Sequence, residues 1–445
     1  MSPDTRVLAV DLGATSIRVA AVNLERPFPE VDIVHRFGHG PVPIGGSLRW
    51  DWSRILVEVK RGLDLGLDAG PVASIGIDGW GVDYGLVDGR GSLVAPPYSY
   101  RDSRTGEWAK TAEKIGYEHL YDVTGMQLMP FNTIFQLAAH PEEELRLAQR
   151  VLLLPDLLMR ELGGGEAAEK SNASTTGLLN ARTGEWAEDL VEAIGLEQNL
   201  FPAIAEAGRK VGLWEGVPLH LVGSHDTASA FMGTPAAADP GTVFVSTGTW
   251  VIVGVEREEA DTSAEARARN FSNEAGALGG VRFLKNVVGF WLIEQCRPAW
   301  GNASMTELLE EAAAVREKVP VFDAADGRFL NPSDMEAEIR SAAGLVESAP
   351  RAVVVRSALE SIVAGVATVV DELAAITGRP MERIGLVGGG ARAPLLKELL
   401  AARTGLPVVV GSPEATALGN AVVQGIALGA FRNVLAAREW IGAAA

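Results

Sequence analysis

Three short groups of residues have an obvious chemical use. The first is Ser224-His225-Asp226-Thr227-Ala228-Ser229-Ala230, where an expected strand, Leu219 to Val222, runs into an aspartate and a helix of small residues. A carboxylate at a strand end, aimed into a cleft, is placed to take a proton from an alcohol. Phosphoryl transfer to an alcohol asks for little more than a positioned nucleophile, a proton acceptor and neutralised charge. Aspartate is equally a favoured helix N-cap, so Asp226 also has a purely structural use. The other two groups are turns between short apolar runs, Asp11-Leu12-Gly13-Ala14-Thr15-Ser16 and Ser246-Thr247-Gly248-Thr249. Each mixes glycine with hydroxyls, so backbone N–H groups converge as a nest for phosphate oxygens. An ordinary hairpin turn has the same composition. Gly13 and Gly248 lie 248 − 13 = 235 residues apart, about half of the 445-residue chain. Two such turns on two lobes would clamp a triphosphate. Asp11 adds a carboxylate for Mg²⁺, reached through water, though Asp is also a common turn residue.

Polar and aromatic residues gather in three further places. These are Gly76-Ile77-Asp78-Gly79-Trp80-Gly81-Val82-Asp83-Tyr84, Tyr100-Arg101-Asp102-Ser103-Arg104-Thr105, and Pro130-Phe131-Asn132-Thr133-Ile134-Phe135-Gln136. A flat ring with amides and carboxylates suits a polyhydroxylated sugar. A core tryptophan and solvated charges would read the same way. Two nucleotide motifs are missing. No lysine follows a glycine, so there is no Walker A loop. Gly388-Gly389-Gly390-Ala391-Arg392-Ala393 fits a dinucleotide fingerprint, but the next strand ends in Val410-Gly411-Ser412 without the acid that would hold a ribose.

The elements that must position these groups alternate between β and α. Val7–Val10, Val19–Val22, Ser74–Ile77, Val151–Leu154, Val243–Val245, Val251–Val253, Ile384–Val387 and Pro407–Val410 read as strands. Trp52–Leu65, Thr306–Lys318, Ser357–Thr377, Pro394–Thr404 and Thr416–Leu428 read as helices. Alternation of this kind predicts an α/β fold with mixed sheets flanked by helices. The half-length repeat predicts two related lobes, with Gly233 to Gly241 as the connection. The expected domains are 1–238 and 239–445. Net charge is −18, the wrong sign for a chain whose main partner is nucleic acid or an anionic membrane surface. The single cysteine, Cys296, allows no internal disulfide and no cysteine-based zinc site. Val123–Pro141 and Ala415–Phe431 are uncharged but too polar or too broken to span a bilayer. The N-terminus has no basic, apolar leader. A cytoplasmic protein is expected, as monomer or homodimer.

Taken in order, these segments resemble the FGGY family of carbohydrate kinases, within the actin-like ATPase superfamily. The resemblance extends through Asn172-Ala173-Ser174-Thr175-Thr176, Asn270-Phe271-Ser272-Asn273-Glu274, Leu284-Lys285-Asn286-Val287, Phe329-Leu330-Asn331-Pro332 and Glu414-Ala415-Thr416-Ala417-Leu418-Gly419-Asn420, from residue 7 to about 425. The sugar-side segments are most similar to those of the family's L-rhamnulose kinases. The resemblance implies two actin-like (ribonuclease H-like) lobes with the active site in the cleft between them. It implies Asp226 as proton acceptor, with Trp80, Gly81, His225, Asp226, Thr227 and Asn286 at the ketose. Gly13, Ala14, Thr15, Ser16, Ile17, Arg18, Gly248 and Thr249 would hold ATP phosphates, with Glu294, Gly389 and Gly390 on the nucleotide side. The implied reaction is phosphorylation of the L-rhamnulose 1-hydroxyl by MgATP.

The chain departs from the family pattern at four places. Ile17 stands for a usual Gly, Gly79 for a Thr or similar polar residue, and Glu294 for a Gln that appears one place later as Gln295. The chain also ends soon after Trp440. Gly79 would widen or dry the sugar pocket, which raises L-fuculose or another deoxy-ketose as substrate. Ile17 and Glu294 raise a non-catalytic nucleotide- or sugar-sensing protein on the same fold.

Overall fold

The structure is a computed structural model that describes residues 5–235, 239–330 and 332–443. Ala236–Ala238, within the expected connection, and Asn331 lie outside the described residues. The chain forms two compact units. One contains the residues up to Pro235, with Glu256–Phe283 and everything from Glu414; the other contains Ala236–Val255 and Leu284–Pro413. The chain thus passes more than once between units, which the single expected break at 238/239 does not describe.

The first unit is built on a six-stranded mixed sheet. Its strands are β1 (Arg6–Leu12), β2 (Ser16–Asn23), β3 (Val31–Gly38), β4 (Ser74–Gly79), β5 (Lys210–Trp214) and β6 (Val217–His220), in the order β5-β6-β4-β1-β2-β3. β1, β2 and β3 form an antiparallel meander, while β1, β4 and β6 run parallel. The carboxyl ends of those parallel strands therefore share one edge of the sheet, where open α/β sheets place their ligands. Helix α1 (Trp52–Asp68) is amphipathic and starts at Asp51, whose carboxylate caps Arg54 N. Its inner face, with Ile55, Val59 and Leu63, joins Leu8, Val10, Val19, Ile75 and Ile77 in the core. Gly62 lets α1 touch the sheet, since a Cβ there would sit 2.5 Å from Val19 Cγ2. Helix α2 (Asp226–Met232) follows β6 and carries the candidate base at its first position.

The second unit repeats the hairpin. β7 (Thr242–Thr247) pairs antiparallel with β8 (Trp250–Arg257), as β1 does with β2, and β9 (Val281–Val288) belongs to the same sheet. β10 (Arg383–Gly388) runs parallel to β7 with Thr247 opposite Gly388, and β11 (Val408–Val410) continues parallel beyond it. The helix expected over Thr306–Lys318 ends at Ala314, because Val315 is already extended. Helix α3 (Arg351–Thr377) runs for 27 residues, starting six earlier than its apolar periodicity predicts, after Pro350. Among the described residues it is the one helix long and apolar enough to cross a membrane by length and composition, at a mean hydropathy of 1.8. Reading the two uncharged stretches alone overlooks it. Two-thirds of its most apolar stretch is buried inside the protein, with Val354, Leu359, Ile362, Val366 and Leu373 turned inward. Helix α4 (Pro394–Thr404) separates β10 from β11.

From Glu414 the chain belongs to the first unit again. Helix α5 (Ala415–Ala427) crosses α2 at backbone contact. A Cβ on Gly419 would lie 1.7 Å from Ser229 O, and one on Gly233 would lie 1.9 Å from Ala415 O. Only glycine permits this approach.

Candidate functional site

Five charged side chains gather at the carboxyl ends of β1, β4 and β6. Asp11 and Asp78 face each other on adjacent parallel strands, and Asp11 also pairs in register with Arg18 across the β1–β2 hairpin. Arg18 lies 2.6 Å from Asp11 and 2.9 Å from Glu414. Burial pushes the Asp11 carboxyl up to about 6; Arg18 opposes the rise while Asp226 and Glu414 add to it. Burial also carries Asp78 well above the ordinary carboxylate range, and Asp11 raises it further against the hydrogen bond from Asn420. Asn420 Nδ2 donates to Asp78 Oδ2 at 2.6 Å, and Gln424 Nε2 donates to Asn420 Oδ1 at 2.7 Å, so α5 supplies the neutral partners. Asp78 Oδ1 is buried with no hydrogen bond. Crowded carboxylates of this kind are where a cation is most useful.

Asp226 does not cap its helix. The N-cap is His225, and Asp226 is the first helical residue, its side chain 31% exposed. Its Oδ1 accepts from Thr227 Oγ1 at 3.1 Å and lies 3.5 Å from His225 Nε2. The backbone leading into it is held from below. Ser224 N donates to Glu169 Oε2 at 2.9 Å, and His225 N donates to Ser171 Oγ at 3.2 Å. Gly79 N donates to Ser224 O, and Trp80 N donates to Leu12 O, so the β4 and β6 ends and β1 are stitched together around the base.

The expected sugar-side residues divide. His225 and Thr227 flank Asp226. Gly81 packs against Thr175, where a Cβ would lie 2.9 Å from Thr175 Oγ1. Trp80 is a core residue: its ring lies 5.6 Å from His39 and 4.6 Å from Trp50, and its indole N–H donates to Asp83 at 3.0 Å. Gln136 is fully buried and donates to Asp83, Val82 O and Phe131 O, so this amide knits a loop together. Gly79 opens no space, because a Cβ there would meet Leu12 Cβ at 2.7 Å. Asn286 belongs to the second unit, on β9.

The nucleotide-side residues also divide. In the first turn a Cβ on Gly13 would sit 2.6 Å from Ser16 O, which fixes glycine there. Ala14 packs on the core, Thr15 is exposed and Ser16 opens β2. Ile17 is fully buried, so its side chain belongs to the core. In the second unit, Gly248 N donates to Trp250 O, and the Gly248 and Thr249 carbonyls accept from Phe290, Gly289 and Trp291. Gly390 lies against Phe290 and Thr247 Oγ1, while a side chain at Gly389 would meet nothing within 4 Å. The β7–β10 register therefore brings Gly248–Thr249 and Gly389–Gly390 to one end of the second sheet. Glu294 is paired with Arg297 at 2.7 Å, which offsets its charge.

Asp78, Glu169, Glu274, Arg282 and Asn420 surround the candidate site, Glu274 and Arg282 beside His225, and reading the sequence alone did not assign them. Asp78, Glu274 and Asn420 stand inside segments of the family resemblance. Glu169 and Arg282 carry no motif signal, since their partners lie 55 residues away at Ser224 and 57 away at His225.

Known families match both halves of the chain. Residues 6–227 match the N-terminal domain of the FGGY family of carbohydrate kinases, and residues 243–428 match its C-terminal domain. A rhamnulokinase of Bacteroides thetaiotaomicron is 36% identical, over 97% of this chain and 93% of its own length. One of Enterococcus faecalis is 38% identical, over 98% and 92%. Among solved structures, a gluconate kinase from Lactobacillus acidophilus superposes with a TM-score of 0.79 at 16% identity, covering 98% and 92% of the two chains. Plasmodium falciparum glycerol kinase with ADP superposes with a TM-score of 0.78 at 17% identity, over the same shares. These structures share the actin-like two-domain fold. With both of its halves matched by the family's two domains, the chain belongs to the FGGY family of carbohydrate kinases and is an ATP-dependent enzyme that transfers phosphate to an alcohol group of a sugar.

Proposed function

We propose that the chain phosphorylates the 1-hydroxyl of L-rhamnulose, with Asp226 as the general base. The observation that carries the reading is the placement of Asp226: about a third exposed at the first position of its helix, and free of the capping bond that a structural aspartate at a helix start would make. Relatives that are 36–38% identical over nearly the whole chain and named rhamnulokinase support the choice of ketose. The features that favoured other readings have structural explanations in this chain. Gly79 is required by Leu12, Ile17 fills the core and Glu294 is matched by Arg297.

In this mechanism Gly81, His225, Thr227 and Asn286 contact the ketose, while Trp80 supports that side only from the core beneath. As the oxygen bonds to phosphorus and loses basicity, its proton passes to the Asp226 carboxylate. The 13–18 turn, Gly248 and Thr249 hold phosphate oxygens; Glu294, Gly389 and Gly390 lie on the adenosine side. Among the described residues no three His, Cys, Asp or Glu side chains converge tightly enough to hold a metal unaided. The buried, unpartnered Asp78 Oδ1 beside Asp11 fits a hydrated ion carried in with the phosphates. Mg²⁺ held there by Asp11 and Asp78 would neutralise phosphate charge.

An ADP-release assay with MgATP against L-rhamnulose, L-fuculose, L-ribulose, D-xylulose and glycerol tests the substrate, with the highest kcat/KM expected on L-rhamnulose. Asp226→Asn should lower kcat by ~10²–10⁴ with the fold intact. Near-normal turnover in that variant would remove the base assignment.

A further inference from the structure

His225 sits between the proposed base and a buried ion pair. Its Nε2 lies 3.5 Å from Asp226 Oδ1, while its Nδ1 lies 3.2 Å from a Glu274 oxygen and 3.2 Å from an Arg282 nitrogen. Glu274, on the strand Ser272–Ala275, and Arg282, on β9, are 3% and 1% exposed and 3.0 Å apart. Arg282 is anchored by its own Nε, which donates to Ala275 O at 3.1 Å. A pair buried this deeply returns little net stability, because each ion has lost its water.

The two partners make opposite demands on Nδ1. A guanidinium N–H only donates and needs a bare ring nitrogen; a carboxylate only accepts and needs N–H. Both stand at the same ring position: Arg282 makes the hydrogen bond to Nδ1, while the Glu274 oxygen 3.2 Å away is buried without a hydrogen bond and is the acceptor an Nδ1–H would take. Burial raises Glu274, but Arg282 and His225 outweigh it and hold the carboxyl below its usual range, so the anion persists. The other charges that act on Arg282 are Glu169, Asp226 and Glu256.

We propose that Glu274 and Arg282 hold His225 as a proton relay behind Asp226. With Nδ1–H on Glu274, the bare Nε2 accepts the proton that Asp226 has taken from the sugar hydroxyl. The imidazolium rests against Glu274 until Nε2 returns that proton to water. One proton moves from sugar oxygen to Asp226, to His225, to solvent; no electrons are exchanged. The relay rests on Asp226 being the base. Glu274 and Arg282 are positioning residues, since they act only through His225.

Glu274→Gln keeps the shape and removes the charge. Its kcat should fall ~10-fold with KM for ATP unchanged, and His225→Gln should fall by a similar factor. If Glu274 acts through the ring, the double variant is no worse than His225→Gln alone; additive losses would overturn the relay. Nitrogen-15 NMR of histidine-labelled protein gives a readout independent of turnover. The wild-type His225 ring should carry its proton on Nδ1, and Glu274→Gln should shift the population toward Nε2. An unchanged tautomer also overturns the proposal. Should Glu274→Gln not fold, His225→Asn keeps a group at the Nδ1 position and deletes Nε2; wild-type kcat in that variant overturns the relay. The two readings fail separately. An inactive Asp226→Asn beside a fully active Glu274→Gln sinks the relay alone, whereas an active Asp226→Asn removes the base.

Discussion

Glu169 shows how a buried charge can serve geometry at the expense of stability. Its Oε2 accepts from Ser171 N, Ser171 Oγ, Asn172 N and Ser224 N, which fixes the turn that delivers His225 and Asp226. Its other oxygen has no partner, nor has the nearby buried Asp156 Oδ2. Burial pushes Glu169 up to about 7, against the hydrogen bonds that favour its anion. A carboxyl raised on folding keeps a proton that the unfolded chain has already lost. Its contribution is therefore complete below about pH 4.5 and is lost as pH rises through about 7. A shift of that size corresponds to roughly 3 kcal/mol. Glu169→Gln should thus melt near the wild type at pH 5 and higher than it at pH 8. A difference in Tm independent of pH would show that the charge is not the cause. The two hairpin turns and the strand-to-helix step at Asp226 were legible in the sequence because turn chemistry is local. Glu169 was not, because its role exists only after β6 has been laid beside β4.

At the scale of elements, the α2–α5 crossing seats the helix that starts at Asp226, the proposed base. The helices touch through Gly233 and Gly419, and one turn of α5 also presents Asn420 to Asp78. Gly419→Ala would drive a methyl into the Ser229 carbonyl, 1.7 Å from the new Cβ, so α2 must shift. An overpacked crossing of this kind costs about 1–3 kcal/mol or more. The variant should lose several degrees in Tm and also lose kcat, because α2 begins at Asp226. Unchanged kcat with lowered Tm would show that the base is positioned by the β6 turn alone. Most elements were readable from apolar periodicity: the two hairpins, α1, α4 and α5 lie within a few residues of where the pattern puts them. The early start of α3 was less visible, since its first turn, Arg351 to Val353, has no inward apolar stripe of its own. The demand for glycine at 79 was invisible too, because it comes from Leu12 on the neighbouring strand.

For the molecule as a whole, the long apolar helix α3 and the charge of −18 make different demands on folding. Burial is what keeps α3 from exposing a stretch apolar enough for a bilayer. Its central amides, Val354 to Leu373, should be among the slowest of the second unit to exchange hydrogen in plain buffer. Exchange there as fast as in the loops around Asp326 would contradict the packing described. The first unit has a different history, because its sheet is finished by a helix from the far end of the chain. Gly233 and Gly419 are 186 residues apart in sequence and in backbone contact in space. At a ribosome adding about 5–20 residues per second, α2 waits roughly 10–40 seconds for the partner that seats it. Until then the turn bearing Asp226 has its bonds to Glu169, Ser171 and Gly79 but lacks the helix that packs on α2. A nascent chain stalled before residue 415 would carry Asp226 yet lack both Gly419 and Asn420, so competence for catalysis waits for α5 to be translated.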